Sequence, residues 1–214
     1  LTGDRIEWTP GPKDSLNDRI LKTPDAPFDH HGGLKQVHGN LGLGVIKISA
    51  VAPELHVIEA PARIFHSQDD VKVAFRAGEL DRDGVIVVRY QGPRANGMPE
   101  LHGLTPVLTV LLQRGYRVAL VTDGRMSGAS GKVPAAIHVA PEALDGGLIG
   151  KLQDGDLIRV DAVKGTLDVL TEGVAGRDVP RPDLSHNEYG LGRELFSLFR
   201  ASAGPSDRGA GVVI

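Results

Sequence analysis

The fold is decided by two apolar stretches, Val85-Ile86-Val87-Val88-Arg89-Tyr90 and Arg117-Val118-Ala119-Leu120-Val121. Each is a nearly continuous apolar run, which is typical of a strand that is covered on both faces. Between them, Thr105 and Pro106 are a helix-start signal, and Gly115 is a helix-end signal. A strand–helix–strand unit of this kind predicts two parallel strands joined by a right-handed crossover.

The rest of the chain supplies more strands than helices. Alternating or apolar runs predict further strands at 45–51, 55–60, 133–139, 157–163 and 166–170. The last two are joined by Lys164-Gly165, a hairpin signal, so antiparallel pairs are expected beside the parallel one. Helices are expected from the cap at Ser67 to Gly78, and from Arg193 to Ala203, where Leu195, Phe196 and Phe199 form one apolar side. The sum is a mixed α/β domain with a β-rich second layer.

Two segments differ in character along the chain. Residues 1–30 contain Pro10, Pro12, Pro24 and Pro27 and show no period, so they are interpreted as an irregular linker or arm. Residues 31–214 are expected to form one domain. Because the chain begins with Leu1 rather than Met, we expect it to be a piece of a longer protein.

The composition excludes several function classes. The chain has 214 residues, with 41% hydrophobic and 24% charged residues and a net charge of −3, so a global nucleic-acid partner is disfavoured. No run approaches the length of a membrane-spanning helix, and no signal peptide is evident, so no membrane partner is expected. There is no cysteine, which excludes disulfides, cysteine nucleophiles and thiolate metal ligands within this chain and fits a cytoplasmic protein.

The first candidate site is the loop from Gln91 to Glu100, which follows a buried strand. Open α/β sheets place ligands at the carboxyl ends of their strands. Glu100 is a candidate ligand for a hard cation such as Mg²⁺, which prefers oxygen. The alternative is that its carboxylate only complements the start of the next helix.

The second candidate is the loop from Asp123 to Lys132. Its three glycines allow the backbone to approach an anion, and Arg125 and Lys132 can meet a carboxylate or phosphate. Ser127 and Ser130 are hydroxyls in the same loop. The pattern fails as a Walker loop and as a nucleophile elbow, because neither motif has its glycines or hydroxyls in the required places. The alternative is a glycine-rich turn without a ligand.

The eight histidines show no metal-type spacing on one helix, and most are interpreted as surface or hydrogen-bonded residues. His102 is the exception, since it lies two residues beyond Glu100.

These loops resemble a known family. The strings 88–93, 97–101 and 120–128 are similar to the C-terminal domain of the iron–sulfur-dependent dihydroxy-acid and sugar-acid dehydratases. Within that family, the strings 39–42, 57–69 and 127–139 resemble the 6-phosphogluconate dehydratases. The likeness extends from about Pro27 to Ala203.

The resemblance implies a fold and a reaction. The fold is a swivelling β/β/α domain, in which a mixed barrel-like sheet is flanked by helices. The reaction is loss of water from 6-phospho-D-gluconate to give 2-dehydro-3-deoxy-6-phospho-D-gluconate, a step of the Entner–Doudoroff pathway. The implied roles are base for Ser127, Mg²⁺ ligand for Glu100 and substrate contact for Ser130. Binding of the substrate's carboxylate or phosphate by Arg125 and Lys132 is our own inference from their charge.

The resemblance also implies cofactors and partners. The family's iron–sulfur cluster is held by cysteines of a larger N-terminal domain, which also supplies other Mg²⁺ ligands. This chain would therefore form one wall of an active site, with that domain and a phosphorylated sugar acid as its partners. The complete enzyme is expected to be a homodimer, and this chain alone is expected to be inactive.

Two alternatives remain open at this point. One keeps the family but changes the substrate to an unphosphorylated sugar acid or a branched dihydroxy acid. The other is a catalytically silent domain that binds sugar acids or a partner. The Ser-Gly-Ala-Ser-Gly-Lys string at 127–132 favours the phosphorylated substrate.

Overall fold

The computed structural model describes residues 3, 5–30, 32–127, 131–179 and 182–213. The chain separates into two compact units, residues 1–32 and residues 33–214. The described part of the first unit consists mainly of bends, turns and irregular segments, and within it Lys22 Nζ lies 5.7 Å from the centre of the Phe28 ring.

The second unit is built on a closed barrel of eight strands in the order β1-β2-β6-β5-β4-β3-β7-β8. The strands are β1 (Leu34–Gly39), β2 (Gly42–Lys47), β3 (Val57–Phe65), β4 (Gly84–Val88), β5 (Val118–Thr122), β6 (Ala135–Ala140), β7 (Leu157–Asp161) and β8 (Thr166–Val169). The helices are α1 (Gln68–Arg76), α2 (Pro93–Asn96), α3 (Leu104–Gln113) and α4 (Ser197–Ser202), with short 3₁₀ turns between other elements.

The barrel is mixed, as predicted. β3, β4, β5 and β6 are parallel neighbours, whereas β1–β2, β2–β6, β3–β7 and β7–β8 are antiparallel. The barrel closes through a parallel contact in which His38 of β1 pairs with Thr166 of β8. The structure therefore confirms the α/β fold with a barrel-like mixed sheet and few helices.

Alternate residues of β4 and β5 enter two different cores. Val85 and Val87 point into the barrel interior with Ala119 and Val121. Ile86, on the other face, packs in a second core with residues of α1 and α3. Both faces of these strands are therefore covered, which is the physical reason for their continuous apolar sequences. A fully buried valine or leucine stabilises the fold by roughly 1.5–3 kcal/mol.

The two long helices differ in how well their starts were predicted. Ser67 caps α1 as expected, because its side chain accepts the amide of Asp70 at 3.1 Å. α3 begins at Leu104, one residue before the predicted cap at Thr105, because the chain already turns at Leu101–Leu104. The hydroxyl of Thr105 instead donates to Met126 Sδ at 3.6 Å.

The C-terminal helix is shorter than predicted. α4 covers only Ser197–Ser202, and the preceding residues form successive turns that start at Gly190 and Gly192, whose φ angles are +85° and +81°. The predicted apolar side is not a core stripe, since Leu195, Phe196 and Phe199 are 73%, 54% and 51% exposed. No helix in the described ranges is long and apolar enough to cross a membrane.

Candidate functional site

The site is built where the parallel strands β4 and β5 end side by side. The carboxylate of Asp123, directly after β5, accepts the backbone amides of Tyr90 at 3.1 Å and Gln91 at 2.9 Å, directly after β4. It also accepts the amide of Ala143 at 2.9 Å. Asp123 is fully buried, and burial raises the pKa of this carboxyl although the three amides oppose that shift. Asp123 therefore fastens three chain segments together beneath the site.

Gly124 allows the two strand ends to approach closely. A Cβ atom at this position would lie 2.6 Å from the Cβ of Gln91 and 3.1 Å from its carbonyl oxygen. Only glycine fits that approach without displacing the backbone of the neighbouring loop. The conformation of the segment that leads to Ser127 thus depends on this glycine.

The loops that follow the two strands then run alongside each other. Glu100 and Arg125 form an isolated parallel bridge, in which the amide of Leu101 donates to the carbonyl of Arg125 at 3.1 Å. The side chain of Arg125 returns to the first loop, since its Nε donates to the carbonyl of Met98 at 2.7 Å. Two segments that are distant in sequence are therefore held in a fixed register.

This register places three of the candidate side chains together. Oε1 of Glu100 accepts the amide of Ser127 at 2.5 Å, and Oγ of Ser127 lies 3.4 Å from Nδ1 of His102. The carboxylate of Glu100 thus bonds to a residue 27 positions away, a contact that a role in complementing the start of α3 does not explain. A carboxylate, a hydroxyl and an imidazole share one exposed edge of the barrel.

The structure does not gather every predicted site residue. Arg125 is exposed beside the Glu100–Ser127 pair, whereas Lys132 is exposed and forms no ion pair within the described ranges. The neighbouring Gly131 packs against Ala50, so this end of the loop turns toward the segment after β2. Ser130 lies outside the described residues.

At this edge of the barrel, Glu100 is the one candidate metal ligand among the described residues. Across the described part of the chain, no group of three or more histidine, aspartate or glutamate side chains could hold a metal ion. The donor chemistry of Glu100 fits Mg²⁺, since a carboxylate oxygen is a hard ligand, but the described residues do not complete a metal site around it. The sequence has no cysteine, so the chain offers no thiolate for an iron–sulfur cluster.

Sequence reasoning missed a second buried carboxylate. Glu142 accepts the amides of Arg94 at 2.9 Å and Ala95 at 3.1 Å in α2, and it is only 4% exposed. Burial raises its pKa from 4.5 to about 7, and the nearby charge of Asp123 adds to that shift. No local pattern signals this residue, because the partner amides lie nearly 50 positions earlier in the chain.

A buried amide network, also unpredicted, connects the end of β4 to the C-terminal segment. Gln91 donates from Nε2 to the carbonyl of His66 at 2.6 Å and accepts from Nδ2 of Asn96 at 3.0 Å. Oδ1 of Asn96 in turn accepts from the guanidinium of Arg193 at 2.6 Å. Hydrogen bonds therefore connect the loop from Gly92 to Glu100 to His66 through Gln91, and to the C-terminal segment through Arg193.

The sequence matches one known protein family over most of its length. Residues 19–210 match the family described as the C-terminal domain of the dihydroxy-acid and 6-phosphogluconate dehydratases. The chain belongs to this dehydratase family. Both strand-end loops lie within the matched residues, so the Glu100–Ser127 contact belongs to the part of the chain that carries the family likeness.

Individual relatives point to one branch of the dehydratase family. The chain is 59% identical to the phosphogluconate dehydratase of Rhizobium meliloti over 97% of its own length and 35% of that protein's. It is 56% identical to the phosphogluconate dehydratase of Pseudomonas aeruginosa, over 98% of this chain and 35% of the relative. Identity to the dihydroxy-acid dehydratase of Nitratidesulfovibrio vulgaris is 42%, over 73% of this chain and 28% of that protein. The chain thus spans about a third of the length of the phosphogluconate dehydratases that it matches.

Proposed function

We propose that this chain is the C-terminal part of a hydro-lyase that converts 6-phospho-D-gluconate to 2-dehydro-3-deoxy-6-phospho-D-gluconate, a step of the Entner–Doudoroff pathway. The observation that carries the proposal is the 2.5 Å contact between the carboxylate of Glu100 and the amide of Ser127. The higher identity and fuller coverage of the named phosphogluconate dehydratases favour this substrate over a branched dihydroxy acid.

The proposed chemistry removes a proton from C2 and the hydroxyl from C3. Ser127 takes the C2 proton, the electron pair of that C–H bond forms the C2–C3 double bond, and the C3 oxygen leaves as water after gaining a proton. The enol produced at C2 then becomes the 2-oxo acid. A free serine hydroxyl is too weak a base for this step, so the residues around Ser127 must stabilise its deprotonated form.

His102 and Arg125 are the residues of this chain that are placed to do so. Nδ1 of His102 lies 3.4 Å from Oγ of Ser127, close enough to accept the hydroxyl proton once substrate tightens the site. Arg125, two residues before Ser127, adds a fixed positive charge that favours an alkoxide and can also meet the substrate carboxylate. Lys132 and Ser130 are proposed as further substrate contacts.

Glu100 is the residue of this chain that would hold Mg²⁺, which would assist departure of the C3 hydroxyl as a Lewis acid. We assign no step to the iron–sulfur cluster, because the chain provides no ligand for it. The cluster ligands and the other magnesium ligands are proposed to lie in an N-terminal domain outside these 214 residues. We propose a cytoplasmic homodimer as the complete enzyme.

The central test is the Ser127→Ala variant of the complete gene product, prepared without oxygen. Formation of 2-oxo acid from 6-phosphogluconate is measured together with iron content. We expect turnover to fall by at least about 10³-fold while iron content stays unchanged, because the base is lost but no cluster ligand is touched. The matched control, Ser185→Ala on an exposed turn, should retain turnover. Near-normal turnover by Ser127→Ala would remove this serine as the base.

The substrate assignment is tested on the unmodified enzyme. We expect kcat/KM for 6-phosphogluconate to exceed that for gluconate and for a branched 2,3-dihydroxy acid. A preference for either of the other two substrates would keep the dehydratase chemistry but overturn the phosphorylated substrate. Binding of all three without turnover would indicate the silent binding domain.

A further inference from the structure

A cavity of about 470 Å³ lies between the Gly97–Met98 turn and the C-terminal segment. Gly97 and Met98 form one wall, and the facing wall includes Phe196, Arg193 and Arg200. This volume is within the range of pockets that hold small molecules. The mechanism proposed above uses neither the cavity nor its two arginines.

The charge of the cavity is positive and uncompensated. Its described lining contains Arg193 and Arg200 but no aspartate or glutamate, although the whole chain has a net charge of −3. Neither guanidinium forms an ion pair within the described ranges. Burial lowers the pKa of Arg193, and the positive charge of Arg200 lowers it further. A bound anion would relieve the repulsion between these two groups.

Both arginines are held in place before any ligand arrives. Arg193 donates to Oδ1 of Asn96 at 2.6 Å and from Nε to the carbonyl of Asn187. Arg200 donates from Nη1 to the carbonyl of Arg193 at 2.9 Å, and its aliphatic stem packs over Gly97. A guanidinium has five N–H donors, so these contacts leave donors available on both side chains. Fixed arginines of this kind suit the bidentate binding of phosphate.

The cavity borders the loop that carries Glu100. The carbonyl of Met98, which lines the cavity, accepts Nε of Arg125 at 2.7 Å. Glu100 follows Met98 by two residues, a reach of at most about 7 Å along an extended chain. The cavity and the Glu100–Ser127 pair are therefore connected by a few residues of one loop.

We propose that Arg200, supported by Arg193, binds the phosphate monoester of the substrate, with the reacting C2 and C3 atoms at Ser127. This inference rests on the proposed function, and it names the residues that would contact the substrate phosphate. The phosphate is on C6, three carbons beyond C3, so the proposal requires Ser127 and Arg200 to lie within the length of one substrate molecule. Phe196 and Phe199 form the apolar part of the same wall.

The test uses the complete gene product and the ratio of kcat/KM for 6-phosphogluconate to kcat/KM for gluconate. We expect Arg200→Gln to lower that ratio about 10- to 100-fold, since a charge-assisted contact to phosphate is lost, and Arg200→Lys to lower it less. The matched control is Arg114→Gln. Arg114 is an exposed arginine paired with Asp81; Asp81 precedes the amino end of β4, and Arg114 precedes that of β5. The Arg114→Gln variant should keep the kcat/KM ratio of the unmodified enzyme.

The ratio distinguishes loss of phosphate binding from damage to the fold, because a misfolded protein loses activity toward both substrates equally. An unchanged ratio in Arg200→Gln would overturn the proposal. A binding measurement keeps the proposal testable if no substrate is turned over. Calorimetry of the metal-free protein with 6-phosphogluconate should show affinity reduced at least about 10-fold by Arg200→Gln and unaffected by Arg114→Gln. Equal affinities would overturn the phosphate site, whereas lack of turnover alone would count only against the proposed function.

Discussion

At the scale of single residues, we assign two roles to the carboxylate of Glu100. By accepting the amide of Ser127 at 2.5 Å, it fixes the backbone of the proposed base, and its chemistry also suits a magnesium ligand. His102 contacts the hydroxyl of Ser127 rather than its backbone. The proposed metal ligand, base and proton acceptor thus lie on two loops that the Glu100–Ser127 hydrogen bond joins.

Replacing Glu100 by Gln separates these tasks. The Gln oxygen can still accept the amide of Ser127, but a neutral amide binds Mg²⁺ more weakly than a carboxylate does. We expect the Mg²⁺ concentration for half-maximal activity to rise at least about 10-fold, with the fold retained. Activity measured against Mg²⁺ concentration checks this, with Glu54→Gln, on an exposed 3₁₀ turn, as the control. An unaltered Mg²⁺ requirement would show that Glu100 serves only the loop.

Replacing His102 by Asn tests proton transfer from Ser127. Asn can keep a hydrogen bond to the hydroxyl but cannot take its proton, so kcat should fall by about 10²-fold with little change in KM. The acid limb of the pH–rate profile should also change, which loss of a merely structural contact would not cause. His38→Asn, at an exposed position of β1, is the control. Retention of the normal pH profile would exclude the imidazole from the reaction.

At the scale of elements, the site depends on how closely two strand ends approach. Asp123 accepts amides from the segment after β4, and Gly124 leaves no room for a side chain beside Gln91. Both residues stand in the Asp-Gly pair that directly follows β5. The pair therefore determines where Ser127 lies relative to Glu100, although neither residue is proposed to touch substrate.

A methyl group at Gly124 should disturb this arrangement. The added Cβ would meet the backbone and side chain of Gln91 at 2.6–3.1 Å, so one of the loops must move. We expect Gly124→Ala to lower the free energy of unfolding by about 1–3 kcal/mol. We also expect it to lower kcat by a larger factor than the factor by which KM changes. Gly176→Ala is the control, because a Cβ there meets nothing within 4 Å. Urea unfolding and steady-state kinetics check both expectations. Equal effects of the two substitutions would contradict the argument.

Elements that are buried on both faces were the most predictable from sequence. β4 and β5 alternate between the barrel interior and the layer under α1 and α3, so their sequences remain apolar at every position. The C-terminal helix was less predictable, because its apolar residues line an exposed cavity and two glycines hold the preceding chain in turns. A local pattern cannot tell a core stripe from a cavity wall.

The candidate site was predictable only in part, for the same reason. Glu100 and Ser127 follow buried strands, and the rule about strand ends brings such residues together. The supporting groups come from distant sequence: Glu142 lies almost 50 residues after the amides that it accepts, and Arg193 lies 97 residues after Asn96. The contact of Glu142 forms only once β4, β5 and β6 lie side by side in the sheet.

For the molecule as a whole, the buried carboxyl groups make stability depend on pH. Burial raises the pKa of Glu142 from 4.5 to about 7, so between these values the folded chain binds more protons than the unfolded chain. The contribution of Glu142 is therefore fully present below about pH 4.5 and is lost as the pH rises to about 7. The pKa of Asp123 is also raised by burial, which acts in the same direction. Burial lowers the pKa values of His66 and His138, which acts in the opposite direction.

Comparison of the chain with its Glu142→Gln variant isolates this glutamate, because the histidines and Asp123 are present in both. We expect the variant to gain stability relative to the unmodified chain by about 1–3 kcal/mol as the pH rises from 5 to 7.5, since the amide never ionises. Urea unfolding at both pH values measures the difference. Glu172→Gln, at an exposed position, should show the same stability difference from the unmodified chain at the two pH values. If the Glu142→Gln difference also stayed constant, Glu142 would be ionised in the fold across this range, and the two amides of α2 would outweigh its burial.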